Sequence, residues 1–207
     1  GASMQLGIIG LPQSGKTTLY KALTRADVPT DMSSGRMEVR TAVVDVPDDR
    51  VDALARLYSP KKIVRTKVSY ADIAGLDGSA NKDGLPGQLI NQIAQMDGLL
   101  HVVRVFENAS VPHQAGSIDA LRDLQVMDSE FILNDLIMVE RRLEKLREEH
   151  RRGVARPREV TQAEIDIFEN LQAMLSQDQP LRHHTFTPEE DKVVASFGFL
   201  SRKPQIV

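Results

Sequence analysis

A short apolar run, Gln5-Leu6-Gly7-Ile8-Ile9, ends in Gly10-Leu11-Pro12-Gln13-Ser14-Gly15-Lys16-Thr17, and a helical pattern begins at once. A strand, a G-x-x-x-x-G-K-[ST] loop and a helix in that order constrain the fold more than any other feature of the chain. They call for an α/β sheet whose strand end delivers the loop and whose next helix points its positive end back at it. Glycines at both ends let backbone N–H groups turn inward around a phosphate, and the helix start favours the same anion. On this reading Lys16 bridges the β- and γ-phosphates of a nucleoside triphosphate, and the Thr17 hydroxyl is a ligand for Mg²⁺. Gly10, Pro12, Gln13, Ser14, Gly15, Lys16, Thr17 and Thr18 are the candidate nucleotide contacts. A purely structural strand-to-helix turn is the alternative.

Downstream, residues 17–25 carry Leu19, Ala22 and Leu23 at helical spacing, and Thr30 to Gly35 is small and polar, a loop. Met37 to Val46 reads as a strand. A short helix follows, capped by Asp48 or Asp49, with Val51, Leu54 and Leu57 expected inward. Ile63 to Asp72 alternates, with Val64, Thr66, Val68 and Tyr70 on one face, as in a half-exposed antiparallel strand. Asp72-Ile73-Ala74-Gly75 then places a carboxylate at a strand end, where it can hold Mg²⁺ through water, and a glycine whose N–H can meet the γ-phosphate. The glycine-rich stretch from Gly75 to Gly87 reads as a switch loop. Leu89, Ile93 and Met96 mark a helix, and Leu99 to Phe106 reads as a parallel strand covered on both faces.

After residue 128 the pattern changes. Ile132, Leu136, Val139, Leu143 and Leu146 follow a 4-3-4-3 spacing, a heptad seam. Gly153 and Pro157 break it, and Ile165, Phe168, Leu171 and Leu175 resume a stripe to Gln177. Two such helices make an antiparallel hairpin. Lys203 to Val207 looks like the beginning of a further strand, which suggests a piece of something longer. The expected division is a nucleotide-binding domain over 4–128, a helical-hairpin insertion over 129–200, and the next strand of the first domain from 201–207.

Composition narrows the chemistry. The chain has no cysteine, which removes disulfides, thiol catalysis and thiolate metal sites and fits a reducing cytoplasm. No apolar run is long enough to span a membrane. Net charge is −3, but the stretch from Arg141 to Arg158 holds eight Arg or Lys against Glu144, Glu148 and Glu149. That basic hairpin tip, with Arg151, Arg152, Arg156 and Arg158, is either an RNA or ribosome contact or a solvated helix end.

The stretches GIIGLPQSGKTTLYKALT, VVDVPDDRVDAL, YADIAGLDGSA, HVVRVFEN and GSIDALRDL followed by SEFILNDLIMVERRLEKL together resemble the YchF/Obg-like ATPase family, from about Met4 to Val207. The resemblance implies a Ras-like P-loop nucleotide-binding domain: a mostly parallel sheet with helices on both faces, plus an inserted coiled-coil hairpin arm. It implies a monomeric cytoplasmic NTPase linked to translation, with ATP favoured over GTP. The family's N-x-x-E base-recognition motif and C-terminal TGS domain have no counterpart before Val207. The resemblance also bears on Leu76. Ras-like hydrolases place a water-orienting glutamine just after D-x-x-G, whereas this family carries a hydrophobic residue. From the residues alone Leu76 is equally a core anchor; either way slow intrinsic turnover follows. His113, in the loop 109–116 after the apolar strand, is a candidate to replace the glutamine, because an imidazole can orient a water or accept its proton. A solvated surface histidine is the alternative, and His101, inside the strand, reads as a core residue.

The chain also departs from the family. Gln13-Ser14 stands where members usually carry Asn-Val, so potassium activation is not carried over. Asp31 to Arg36 replaces the usual N-[YF]-P-F-C-T stretch, and Thr30, Ser33 or Ser34 are open substitutes for its metal-closing threonine. Arg36 is open between a phosphate contact and a solvated loop side chain. Three functions compete: a hydrolysing switch, a nucleotide-stabilised RNA- or ribosome-binding module, and a small-molecule kinase, which the D-x-x-G followed by LLHVVRVF argues against.

Overall fold

Apolar strands that alternate with amphipathic helices bury both sheet faces only by crossing over, which makes neighbouring strands parallel. In a computed structural model the described residues are 4–25, 40–78, 85–153 and 156–207. Among them β1 Met4–Ile9, β2 Arg40–Asp45, β3 Lys67–Asp72, β4 Gly98–His101 and β5 Gln205–Ile206 form one sheet in the order β2-β3-β1-β4-β5. β2 runs antiparallel to β3, and every other pairing is parallel. The helices are α1 Lys16–Thr24, α2 Asp49–Tyr58, α3 Gly87–Ala94, α4 Ala120–Arg152, α5 Arg158–Leu175 and α6 Pro188–Val194. The predicted loop at Thr30 to Gly35, the strand start at 37–39 and residues 79–84 of the switch loop lie outside the described residues.

α4 organises the rest. Its 33 residues span about 50 Å at 1.5 Å per residue, and it runs unbroken through residue 128. Met127 and Phe131, near its start, are fully buried in the sheet core with Ile9, Ile73, Leu89 and Leu99. Ile132, Val139, Leu143 and Leu146 belong to a second core, with Ile165, Phe168, Leu171 and Leu175 of α5. Three of the chain's six Phe meet there: Phe168 lies edge-on to Phe197 at 5.0 Å, and Phe197 stacks on Phe199 at 5.5 Å. Asp135 joins the two regions. It is fully buried, and its carboxylate accepts from the backbone N–H of Leu200 at 2.9 Å and of Ser201 at 2.8 Å. Ser201 Oγ in turn accepts from Leu181 N–H. At the hairpin turn Glu164 accepts from Arg142 and from Arg156, and Arg156 also donates to Glu149.

Several local expectations are corrected. α2 buries none of its residues: Leu54 is 56% and Leu57 72% exposed. Helical periodicity identifies an apolar face without guaranteeing a partner for it, and among the described residues nothing buries this one. In α1 the buried residue is Tyr20, while Ala22 is exposed. The apolar run after Leu99 leaves the sheet at His101, and Val105 and Phe106 are exposed. Arg104 is the cause: its side chain donates to Phe106 O and Val111 O and folds the chain back on itself. In β3 the buried side chains are Ser69 and Ala71, opposite the half-buried Val68 and Tyr70. The capping box of Thr187 and Glu190, which starts α6, was present in the sequence as T-x-x-E and was not read.

Candidate phosphate-binding site

The sheet register brings the two motifs together. Ile8 pairs with Asp72, so the carboxylate at the end of β3 lies beside the strand that enters the loop. Lys16 and Thr17 open α1, and both reach this carboxylate: Lys16 Nζ forms an ion pair with Asp72 Oδ1, and Thr17 Oγ1 lies 3.4 Å from Asp72 Oδ2. Lys16 and Asp72 side chains are only 14% and 7% exposed, so this is a protected charge pair. Triphosphate and metal would meet a cation, a hydroxyl and a carboxylate already gathered at one helix N-terminus.

The loop backbone explains its glycines. Gly15 adopts φ 98°, and a Cβ on Gly10 would sit 2.7 Å from both Ser14 Oγ and Val102 O, a clash with backbone that nothing relieves. Gln13 takes φ 63° without being glycine, a conformation costing on the order of 1 kcal/mol. Pro12, Gln13 and Thr18 are exposed, while Gly10 and Ser14 are buried. Ser14 Oγ has no hydrogen-bond partner among the described residues. Gly75 follows Asp72 at φ 98°, and Leu76 is 2% exposed within the sheet core. The Leu76 side chain therefore packs with Ile73 and Leu89 and offers no polar group.

Beside the loop is a cavity of about 10 Å³, lined by Pro12, Ser14, His101, Arg104, His113 and Asp123 among others; that is room for about one water. His113 and Asp123 side chains are 9% and 6% exposed, so the loop after β4 delivers His113 to the phosphate loop and not to solvent. Its Nδ1 accepts from Ala115 N–H at 3.0 Å, and its Nε2 lies 2.7 Å from Asp123 Oδ2. Arg104, 3% exposed, sits over the Phe106 ring, and its Nη1 has no hydrogen-bond partner among the described residues. His101 is 3% exposed and its Nδ1 lies 3.1 Å from Gln205 Nε2; burial pushes its imidazole down to about 4. Two residues here escaped sequence reading. An arginine inside LLHVVRVF was a visible signal for Arg104, whereas nothing in local spacing marks Asp123. Thr30, Ser33, Ser34 and Arg36 lie outside the described residues.

At the hairpin end the tip residues divide. Arg151 and Arg152 side chains are 78% and 66% exposed, with Arg152 paired to Glu148 on its own helix. Arg156 is bound to Glu149 and Glu164 and closes the turn. Arg158 is exposed.

Comparison with known proteins agrees with this geometry. The 50S ribosome-binding GTPase family matches residues 5–142. The chain is 36% identical over 200 residues to the ribosome-binding ATPase YchF of Haemophilus influenzae, covering 96% of this chain and 54% of that protein. It is 31% identical over 211 residues to Obg-like ATPase 1 of Schizosaccharomyces pombe, covering 100% and 54%. A solved structure of the S. pombe YchF GTPase superposes with a TM-score of 0.77 at 30% identity, covering 100% of this chain and 56% of that one. The chain thus spans about half the length of these relatives. Their names divide between ATPase and GTPase, so likeness alone does not fix the base.

Proposed function

Because the chain belongs to the 50S ribosome-binding GTPase family, in its YchF/Obg-like ATPase branch, we propose that it binds and slowly hydrolyses a nucleoside triphosphate, ATP in preference to GTP, as a Mg²⁺-dependent switch that acts on the ribosome. The observation that carries this reading is the convergence of Lys16, Thr17 and Asp72 at the start of α1. Lys16 would exchange its ion pair with Asp72 for the β- and γ-phosphates, with the N–H groups at the start of α1, from Gly15 to Thr17, closing around them. The hydroxyl and carboxylate oxygens of Thr17 and Asp72 suit Mg²⁺, which prefers oxygen ligands; bound there it would neutralise charge on the β- and γ-phosphates. Leu76 supplies no carboxamide, so His113 is the group in reach of the loop that can orient water or take its proton. Residues 129–200 act as the arm, and its exposed Arg151, Arg152 and Arg158 face ribosomal RNA. The setting is cytoplasmic, where ribosomes are, and the working unit is a monomer. Among the described residues no helix is long and apolar enough to cross a membrane.

The test is multiple-turnover phosphate release by this chain with Mg-ATP and Mg-GTP, with and without ribosomes. Release should require Mg²⁺ and should rise with ribosomes. Tight nucleotide binding with no release under any of these conditions would leave the other reading, a nucleotide-stabilised ribosome-binding module, in its place.

A further inference from the structure

With its hydrogen bond to Asp123 closed, His113 is held in a geometry that bars it from chemistry. Ala115 N–H points at Nδ1, so that nitrogen carries a lone pair and no proton. The neutral ring therefore bears its proton on Nε2 and donates it to Asp123 Oδ2 at 2.7 Å. Neither nitrogen is left to accept a proton from water. The carboxylate that holds the ring is itself immobilised. Asp123 Oδ1 accepts from Arg122 Nε at 3.1 Å and Nη2 at 3.0 Å, and Arg122 is clasped in turn by Ser117 O at 2.7 Å and Ser117 Oγ at 3.1 Å. A hydrogen bond to an ionised carboxylate, with both side chains largely shielded from water, is among the stronger contacts a side chain makes.

Asp123 lies in the first turn of α4, whose N-cap is Asp119. The same helix adjoins the chain just after D-x-x-G: a Cβ on Gly78 would meet Val126 Cγ1 of α4 at 2.9 Å and Leu11 Cδ2 of the phosphate loop at 3.7 Å. Gln114, next to His113, donates to Asp77 O at 3.3 Å. Asp77 and Gly78, just after D-x-x-G, therefore lie against the His113 loop and the start of α4, which share the cavity beside the phosphate loop.

We propose that Asp123 is a positioning residue that parks His113 away from water, so that turnover requires the His113–Asp123 hydrogen bond to open. The proposal rests on His113 acting in hydrolysis. It assigns Asp123 the opposite sign from an orienting carboxylate in a catalytic dyad: removing it speeds turnover. Because Asp123 is part of α4, a shift of that helix opens or closes the latch.

The experiment compares the parent, Asp123→Asn, Asp123→Ala, His113→Ala and His113→Ala/Asp123→Ala, by turnover at saturating Mg-ATP and by ¹⁵N NMR of the histidine rings, with His113→Ala supplying the assignment. Asp123→Asn keeps the side-chain shape should Asp123→Ala disturb the helix start. The parent ring should show a single Nε2–H tautomer, and both Asp123 variants, whose rings are no longer held against Ala115 N–H by a charged acceptor and swing away from it, should show averaged tautomers. Their turnover should rise about threefold or more with KM unchanged, as expected when the competent ring becomes more populated, and the rise should vanish without His113. Slower turnover in the Asp123 variants, or an averaged ring in the parent, overturns the latch. If His113→Ala is slow while Asp123→Asn matches the parent, the latch alone fails. Should His113→Ala turn over like the parent, the catalytic reading of His113 and the latch fall together.

Discussion

α4 threads two cores that are built on different terms. Around the hairpin, side chains are apolar and mutually packed, and Asp135, Ser201 and Glu164 have partners, although His150 Nδ1 is buried without one among the described residues and Asp178 is left-handed. Around the phosphate loop the chain carries a left-handed Gln13, and Ser14 Oγ and Arg104 Nη1 are buried without partners among the described residues. Strain and unsatisfied polar atoms are tolerated where a surrounding framework forces them and a ligand can use them. The helical region therefore stores stability, and the sheet end spends some of it on a site.

A crossed pair of variants tests that division most severely. Phe168→Ala removes a fully buried ring packed on Phe197 and should cost about 3–5 kcal/mol in urea unfolding, while the folded fraction binds nucleotide as before. Lys16→Ala should weaken triphosphate binding by at least about a hundredfold, ~2.8 kcal/mol, by calorimetry at low salt, and leave the protein folded, its unfolding midpoint lowered only by the few degrees that follow from leaving the Asp72 carboxylate unpaired. If Phe168→Ala changes affinity per folded molecule, or Lys16→Ala unfolds the protein, the two regions are not separable.

That same contrast decides what was legible beforehand. Gly10 to Thr17 and Asp72 to Gly75 could be read because their chemistry is local: spacing alone dictates which N–H, cation and carboxylate converge. The heptad from Ile132 to Leu146 was readable because a repeating stripe needs a partner stripe. What failed was everything that depends on the absence or placement of a distant neighbour. Leu54 and Leu57 look like core residues, yet among the described residues nothing buries them. Asp135 sits one residue before a seam position, and its role appears only once residues 200–201, 65 and 66 positions away, fold onto it. His113 and Asp123 meet through a loop that Arg104 folds, a pairing no periodicity encodes.

At the far end of α4 the comparison sharpens on charge. Arg151→Glu/Arg152→Glu alters exposed side chains and should reduce ribosome affinity about tenfold, flattening its dependence on salt because fewer counterions are released. Stability should stay within about 0.5 kcal/mol. Arg156→Glu should instead destabilise, since it places a third carboxylate against Glu149 and Glu164. Equal salt slopes in parent and double variant would remove the RNA contact from the tip.

The smallest net effect is expected where the two regions oppose one another. Burial holds the His101 imidazole down at about 4, against 6.5 for a free side chain. Between those values the unfolded chain binds a proton that the folded chain does not, so stability from this site rises with pH and is lost as pH falls. Burial pushes the Asp135 carboxyl up to about 6, from 3.8, although hydrogen bonds from Ser201 and Leu200 pull the other way. Here the folded chain holds the extra proton, so stability falls as pH rises through the same window. Each contribution is on the order of 3 kcal/mol at most, at ~1.4 kcal/mol per unit. Nearly equal and opposite, these two contributions leave little slope of their own between pH 4.5 and 6 in the parent. Asp135→Asn should uncover the His101 slope, with stability climbing toward pH 6.5, and His101→Gln should uncover the Asp135 slope in the other direction. Urea unfolding at pH 4.5, 5.5 and 6.5 reads both, since the slope is independent of any constant loss that the substitution itself causes. Three parallel profiles would mean that neither group changes its proton affinity on folding, and that burial at the sheet end and at the α4 junction is matched by solvation the two side chains retain.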